Sequence, residues 1–210
     1  MEKIIEFSKD YSSIYSKIIR MLKMQKGKEY SLGDITNYAN LILEKSKCIN
    51  PKRCQTLIVK ITKEFGIAVY HEAMEKDING CIKIGGDTKQ KYKGNNKVIL
   101  LNNNLNEWQE RVNLAKLLSY YLFDYLGSVY QADNQFYYAK LEKKNHDIDK
   151  IADRFAMDIL TPKELFVEQY NVAVKINNQH YFVLRYLSHY FEIPEQFIKK
   201  RIAEIQYNCT

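Results

Sequence analysis

Apolar residues recur at helical spacing over residues 2–25, where Ile4, Ile5, Ile14, Ile18, Ile19 and Leu22 alternate with charges, until Gln25-Lys26-Gly27-Lys28 breaks the pattern. Ser31 offers an N-cap for a second helix carrying Ile35, Tyr38, Ala39, Leu41, Ile42 and Leu43. Asn50-Pro51 predicts a third start, a cap residue followed by proline at the first helical position. Leu57, Ile58, Ile61 and Phe65 form its buried face, and Gly66 supplies a stop.

The period then shortens. Residues 67–70, 81–84 and 98–101 read as strands separated by turn residues at Asn79-Gly80, Gly85-Gly86-Asp87 and Gly94-Asn95-Asn96. Helical spacing returns at Asn106, a cap for a helix running to about Leu126 and ended by Gly127. Residues 128–145 read as a polar and aromatic loop. Ile148, Ile151, Ala152, Phe155 and Ile159 then stripe a helix from about Asp147 to Leu160. Thr161 and Glu164 have capping-box spacing around Pro162, so one helix closes and another opens there. Two more helices are expected at about 180–191 and 195–206. Three strands between helical blocks predict an α+β fold, a small three-stranded sheet packed against several helices with a helical C-terminal region. The expected organisation is an N-terminal helical extension over 1–29, a main domain over 30–175 and a C-terminal helical region over 176–210.

Composition narrows the setting. At 210 residues the chain can bury a sizeable core. No stretch approaches the length of a membrane span, and the first residues lack the order of a signal peptide. Cys48, Cys54, Cys81 and Cys209 form no C-x-x-C pair, which fits free thiols in a cytoplasmic protein. The formal net charge of +7 is spread along the chain. Its densest sets are Lys89, Lys91, Lys93 and Lys97, placed in a loop between the second and third strands, and Lys199, Lys200 and Arg201. Solvated faces account for them.

Two segments carry a resemblance. Arg111-Val112-Asn113-Leu114-Ala115-Lys116-Leu117-Leu118-Ser119-Tyr120-Tyr121-Leu122 resembles the ImmA/IrrE stretch R-F-T-L-A-H-E-L-G-H-Y-L, and residues 149–162 resemble that family's second motif, E-x-x-A-N-R-F-A-x-E-L-L-M-P. Leu187 to Pro194 is similar to the helical region that follows. The resemblance covers roughly residues 30–206, and the second motif is the more specific, with Ala152, Arg154, Phe155, Ala156, Leu160 and Pro162 in register. It implies a zincin-like metallopeptidase fold.

In H-E-x-x-H two histidines one helical turn apart hold zinc, and the glutamate acts as general base on its water. Here the motif reads Lys116-Leu117-Leu118-Ser119-Tyr120: lysine and tyrosine replace the histidines and leucine replaces the glutamate. Leucine cannot act as a base, and lysine must lose a proton with a reference pKa of about 10.4 before it can bind a metal. The glutamate ligand of the second motif falls on Asp149, with Asp153 one turn further along. The resemblance thus implies no catalytic residue and no bound metal, with Lys116, Leu117 and Tyr120 as degenerate positions and Asp149 a residual acidic one. A Lys116–Asp149 contact in place of the ion is one expectation, and a solvent-facing Lys116 is the alternative. Relocated zinc ligands would have to come from His71, His146, His180 or His189, of which His146 has i, i+3 spacing to Asp149. His71 and His189 read as packed or surface residues.

Members of the family typically cleave or control helix-turn-helix repressors in mobile elements and stress responses. Carried over, this implies a non-catalytic regulatory module whose partner is such a repressor or a similar protein, received in a groove between the degenerate helix and the sheet. Most of the seventeen tyrosines read as core, whereas Tyr137 and Tyr138 are candidates for partner contact. Two readings compete: a peptidase with relocated ligands or with Cys81 or Ser119 as nucleophile, and a DNA-binding regulator using Lys199, Lys200 and Arg201.

Overall fold

The computed structural model describes residues 10–27, 29–46, 54–127, 135–140 and 147–207. Among these residues three helices come first: α1 (Asp10–Met24), α2 (Leu32–Lys45) and α3 (Cys54–Glu64). Ser31 caps α2 in a reciprocal box with Asp34. Gly66 follows α3 at φ 69°, the left-handed conformation that glycine adopts without penalty. The expected start at Asn50-Pro51 lies outside the described residues.

The α+β class is as expected, but among the described residues the sheet has four strands in the order β1-β3-β2-β4: β1 (Ala68–Glu72), β2 (Ile78–Ile84), β3 (Lys97–Asn102) and β4 (Gln135–Lys140). β3 runs parallel to β1 and antiparallel to β2, and β4 adds antiparallel to the far side of β2. β4 falls where the sequence reads as a loop. Phe136, Tyr137 and Tyr138 favour strands, but a short edge strand with one neighbour shows no clear alternation of polar and apolar residues.

Asn79-Gly80 is not a turn either. It lies inside β2 at an irregularity in the pairing with β4. A side chain on Gly80 would stand 2.6 Å from the Leu100 carbonyl and 3.1 Å from Leu117, so glycine here permits close approach rather than reversal. Between β2 and β3 the expected loop contains a short helix, α4 (Gly86–Lys91).

Asn106 caps α5 (Glu107–Ser119) in a box with Gln109, and the helix then widens into a π-helical segment over Tyr120–Tyr125. α6 (Asp147–Leu160) follows, then α7 (Lys163–Ile176), α8 (His180–Phe191) and α9 (Glu195–Tyr207). Thr161 does not cap α7: its hydroxyl donates back to the Met157 carbonyl at 2.6 Å, which closes α6 instead.

One core unites these elements. Ile99 and Leu101 of β3 face the helices, whereas Val98 and Leu100 face a smaller cluster with Cys81 and Tyr92 on the other side of the sheet. Tyr15, Ile18 and Leu22 carry α1 into the same core. α5 lies at its centre, with every residue from Arg111 to Ser119 buried except Lys116. At its N-terminal end Arg111 donates to the Glu192 carbonyl at 2.9 Å, fastening α5 to the left-handed end of α8.

Charges cross the core where α6 meets α2 and α9. Asp158, 2% exposed, accepts from Arg154 at 2.7 Å and from Thr36 at 2.8 Å, and pairs with Arg201 at 3.1 Å. Arg201, fully buried, also reaches Glu204 and the Thr161 carbonyl, both at 2.8 Å, and Arg154 contacts Glu204. Burial pulls Glu204 upward, but the two guanidinium groups outweigh it and hold the carboxyl below its ordinary range. Its burial withholds Arg201 from the DNA-backbone role considered for it.

Replacing Asp158 with alanine strands Arg201 beside a single carboxylate. The unfolding free energy in urea should fall by about 3–5 kcal/mol. A loss below about 1 kcal/mol, typical of an exposed pair, would show that these charges remain solvated.

Candidate functional site

α5 and α6 pack side by side, and their facing residues are those of the two motifs. Lys116 and Tyr120 are i and i+4 on one helix, Asp149 and Asp153 i and i+4 on the other, so each pair shares a face. The Tyr120 hydroxyl donates to Asp149 at 2.9 Å. The Lys116 ammonium meets Asp153 at 2.7 Å, each side chain about one-fifth exposed. Lys200 of α9 approaches the other oxygen of Asp153 at 3.5 Å. Lys116 therefore does not point freely to solvent, and its ion pair is with Asp153 rather than Asp149. The spacing alone does not separate the two carboxylates, since both lie on the face that α6 turns to α5.

Burial lowers the Lys116 pKa from 10.5 to about 8; the nearby Lys200 cation adds to the depression and Asp149 opposes it. Burial, helped by the bond to Asp149, raises the Tyr120 phenol well above its usual range, so it stays a donor. Leu117, at the glutamate position, is fully buried and turned toward Gly80 of β2. The donor set does not fit zinc. One position carries an ammonium paired with a carboxylate, another a protonated phenol that already occupies an oxygen of the remaining acid, and the base position is hydrocarbon in the core.

Neither alternative nucleophile is equipped. Ser119 is fully buried and its hydroxyl donates to the Lys116 carbonyl at 2.7 Å. Cys81 is 2% exposed and its thiol is pushed up by burial, away from the reactive thiolate. The histidines do not converge: His71 meets Glu110 at 3.0 Å, His189 stands edge-on to Trp108 with ring centres 5.2 Å apart, and His180 lies at the exposed start of α8. His146 lies outside the described residues. Among the described residues no group of three or more His, Cys, Asp or Glu is placed to hold a metal ion.

Between α5 and the sheet lies an open pocket of about 410 Å³. Val59, Val69, Leu101 and Leu114 give it an apolar floor, and the His71–Glu110 pair stands among the polar residues of its wall. It flanks β1, the sheet edge opposite β4. Sequence reasoning missed this floor because its residues come from α3, β1, β3 and α5, four segments whose approach no local pattern announces. Tyr137 and Tyr138 lie on β4, paired with Ile82 and Cys81 of β2, at the other edge.

Comparison with family models matches residues 62–203 to the IrrE N-terminal-like domain, Peptidase M78. Comparison with curated proteins and with solved structures found no match. No described helix is long and apolar enough to cross a membrane.

Tyr120→Phe leaves Asp149 without its phenol donor and should cost about 1.5–3 kcal/mol of stability, the worth of a hydrogen bond to a charged group; unchanged urea unfolding would show that water replaces it freely. Lys116 has a pH signature. Between the folded pKa near 8 and the unfolded value of 10.5, the unfolded chain keeps a proton that the folded chain has released. Stability relative to Lys116→Met should then rise through that window and stay flat below it. A flat difference across the whole range would place the amine in ordinary solvent.

Proposed function

The chain belongs to the IrrE N-terminal-like (Peptidase M78) family and has its zincin-like fold, and from this we propose that it is a non-catalytic member that works without zinc, as a regulatory module holding a protein partner rather than cleaving it. The observation that carries the reading is the pair of contacts Lys116–Asp153 and Tyr120–Asp149. A positive charge and a hydrogen-bond donor from α5 meet the two acids of α6, in a region where active members of the family place a divalent cation. In this reading the chain's own side chains answer the two acids, while apolar packing holds α5 in place.

The partner implied by the family is a helix-turn-helix repressor, or a protein like it, in a mobile-element or stress-response system. The pocket beside β1 supports binding without chemistry. Its apolar floor can take one or two side chains of an extended segment, while β1, which among the described residues is an edge strand of the sheet, can add a further strand. Tyr137 and Tyr138 on the opposite edge are a second candidate contact. A DNA-binding reading has less support, because Arg201 is buried and Lys200 is drawn toward Asp153.

Two measurements test the reading together. Metal analysis of protein purified from zinc-supplemented medium should find far less than one zinc per chain, and a helix-turn-helix repressor incubated with the protein should be bound and recovered at its intact mass. Val69→Arg, which fills the pocket floor with a charge, should weaken that binding at least tenfold, or about 1.4 kcal/mol. Stoichiometric zinc, or shortened repressor that disappears with chelator, would overturn the non-catalytic assignment.

A further inference from the structure

α7 buries Phe166, Gln169 and Ala173 against the rest of the chain. Its outward side departs from the polar face that a surface helix ordinarily shows to water. Val172 is 38% and Ile176 61% exposed, and with the half-buried Leu165 they form a stripe at i, i+7 and i+11. Glu168 and Lys175, both exposed, run beside that stripe. About 10 Å of helix axis separates the two charges, too far for them to pair within α7. Acids early and a lysine late suit a helix dipole, but that influence fades beyond the end turns and does not account for exposed aliphatic side chains.

The pattern is its own complement. A second α7, turned about a two-fold axis beside Val172, runs antiparallel to the first. Glu168 then faces the partner subunit's Lys175, and Lys175 faces the partner subunit's Glu168, because the two lie nearly equally far from the axis in opposite directions. Leu165 meets the partner subunit's Ile176, and the two copies of Val172 meet at the axis. Parallel helices in the same register would set like charges together, so charge selects the antiparallel form. From this complementarity we propose that the outward face of α7 docks a second copy of the chain as an antiparallel two-fold dimer, with Val172 at the axis and a Glu168–Lys175 pair on either side. One helix face makes a small interface, so the dimer is a weak one that forms at micromolar concentrations and above. Its readout needs neither a repressor nor a metal, so it stands apart from the function proposed for the chain.

Sedimentation velocity of the full-length protein between about 2 and 200 μM should show a monomer–dimer equilibrium, the range suited to a small interface. Val172→Arg brings two cations together at the axis and should weaken the dimer at least about tenfold. Glu168→Lys and Lys175→Glu each set like charges together twice per dimer and should each weaken it at least about fivefold. Carrying both reversals at once restores opposite charges, and that protein should associate within about twofold of the original. All three positions are exposed, so every variant should unfold in urea as the parent does. A monomer throughout the range would overturn the proposal and leave the stripe to a different protein. Single reversals without effect, or a double reversal no better than either single one, would overturn it equally.

Discussion

A charge taken out of water must be answered by another, and in this fold the answers lie along α6. Asp149 and Asp153 face α5; Arg154 and Asp158, at the same spacing, face α2 and α9. Arg154, Arg201, Asp158 and Glu204 together sum to zero charge, and that neutrality lets a fully buried guanidinium persist inside the helical layer. Remove Asp158 and the fully buried Arg201 has no solvent to turn to. The C-terminal helix is thereby tied to α6 by polar contacts, beside the apolar packing that brings Ile198 and Ile202 into the core.

The same constraint explains the contacts between α5 and α6. Two carboxylates directed at a neighbouring helix repel each other unless something positive or hydrogen-donating stands between them. A divalent ion answers both acids at once. Here the work is divided: an ammonium and a second lysine meet Asp153, and a phenol meets Asp149. Tyrosine suits its position because a buried phenol that keeps its proton is a donor of fixed direction. Lysine suits its own because a long apolar stem can run along the helix interface and bring the charge to the rim.

Much of this was legible in the sequence. The α6 stripe, the caps at Ser31 and Asn106 and the presence of Lys116, Leu117 and Tyr120 are local facts, each written in residues a turn apart. What stayed hidden depends on approach between distant segments. Gly80 reads as a turn residue beside Asn79, yet its role is to let α5 and β3 come close, which only the folded sheet reveals. Thr161 reads as a cap, but the nearer Met157 carbonyl takes its hydroxyl. Arg201 reads as one of a basic run with Lys199 and Lys200, whereas helical spacing turns it inward to meet Asp158 and Glu204. β4 draws its strand character from pairing with β2 rather than from its own pattern.

The backbone between Lys116 and Tyr120 is regular helix. The Tyr120 amide still donates to the Lys116 carbonyl, so the turn from 116 to 120 is α-helical, and the π-helical segment begins only at Tyr120. Two side chains are still presented on one face at the spacing a metal site requires. Lys116, Leu117 and Tyr120 therefore stand on a helix whose backbone keeps regular spacing. Packing fixes α5 on nearly every side, through Leu114, Ala115, Leu117 and Leu118, and none of those contacts involves an ion. A pocket floored by Leu101, Leu114, Val59 and Val69 depends on that packing alone. The shape of that pocket thus rests on apolar forces that are independent of the polar contacts made by Lys116 and Tyr120.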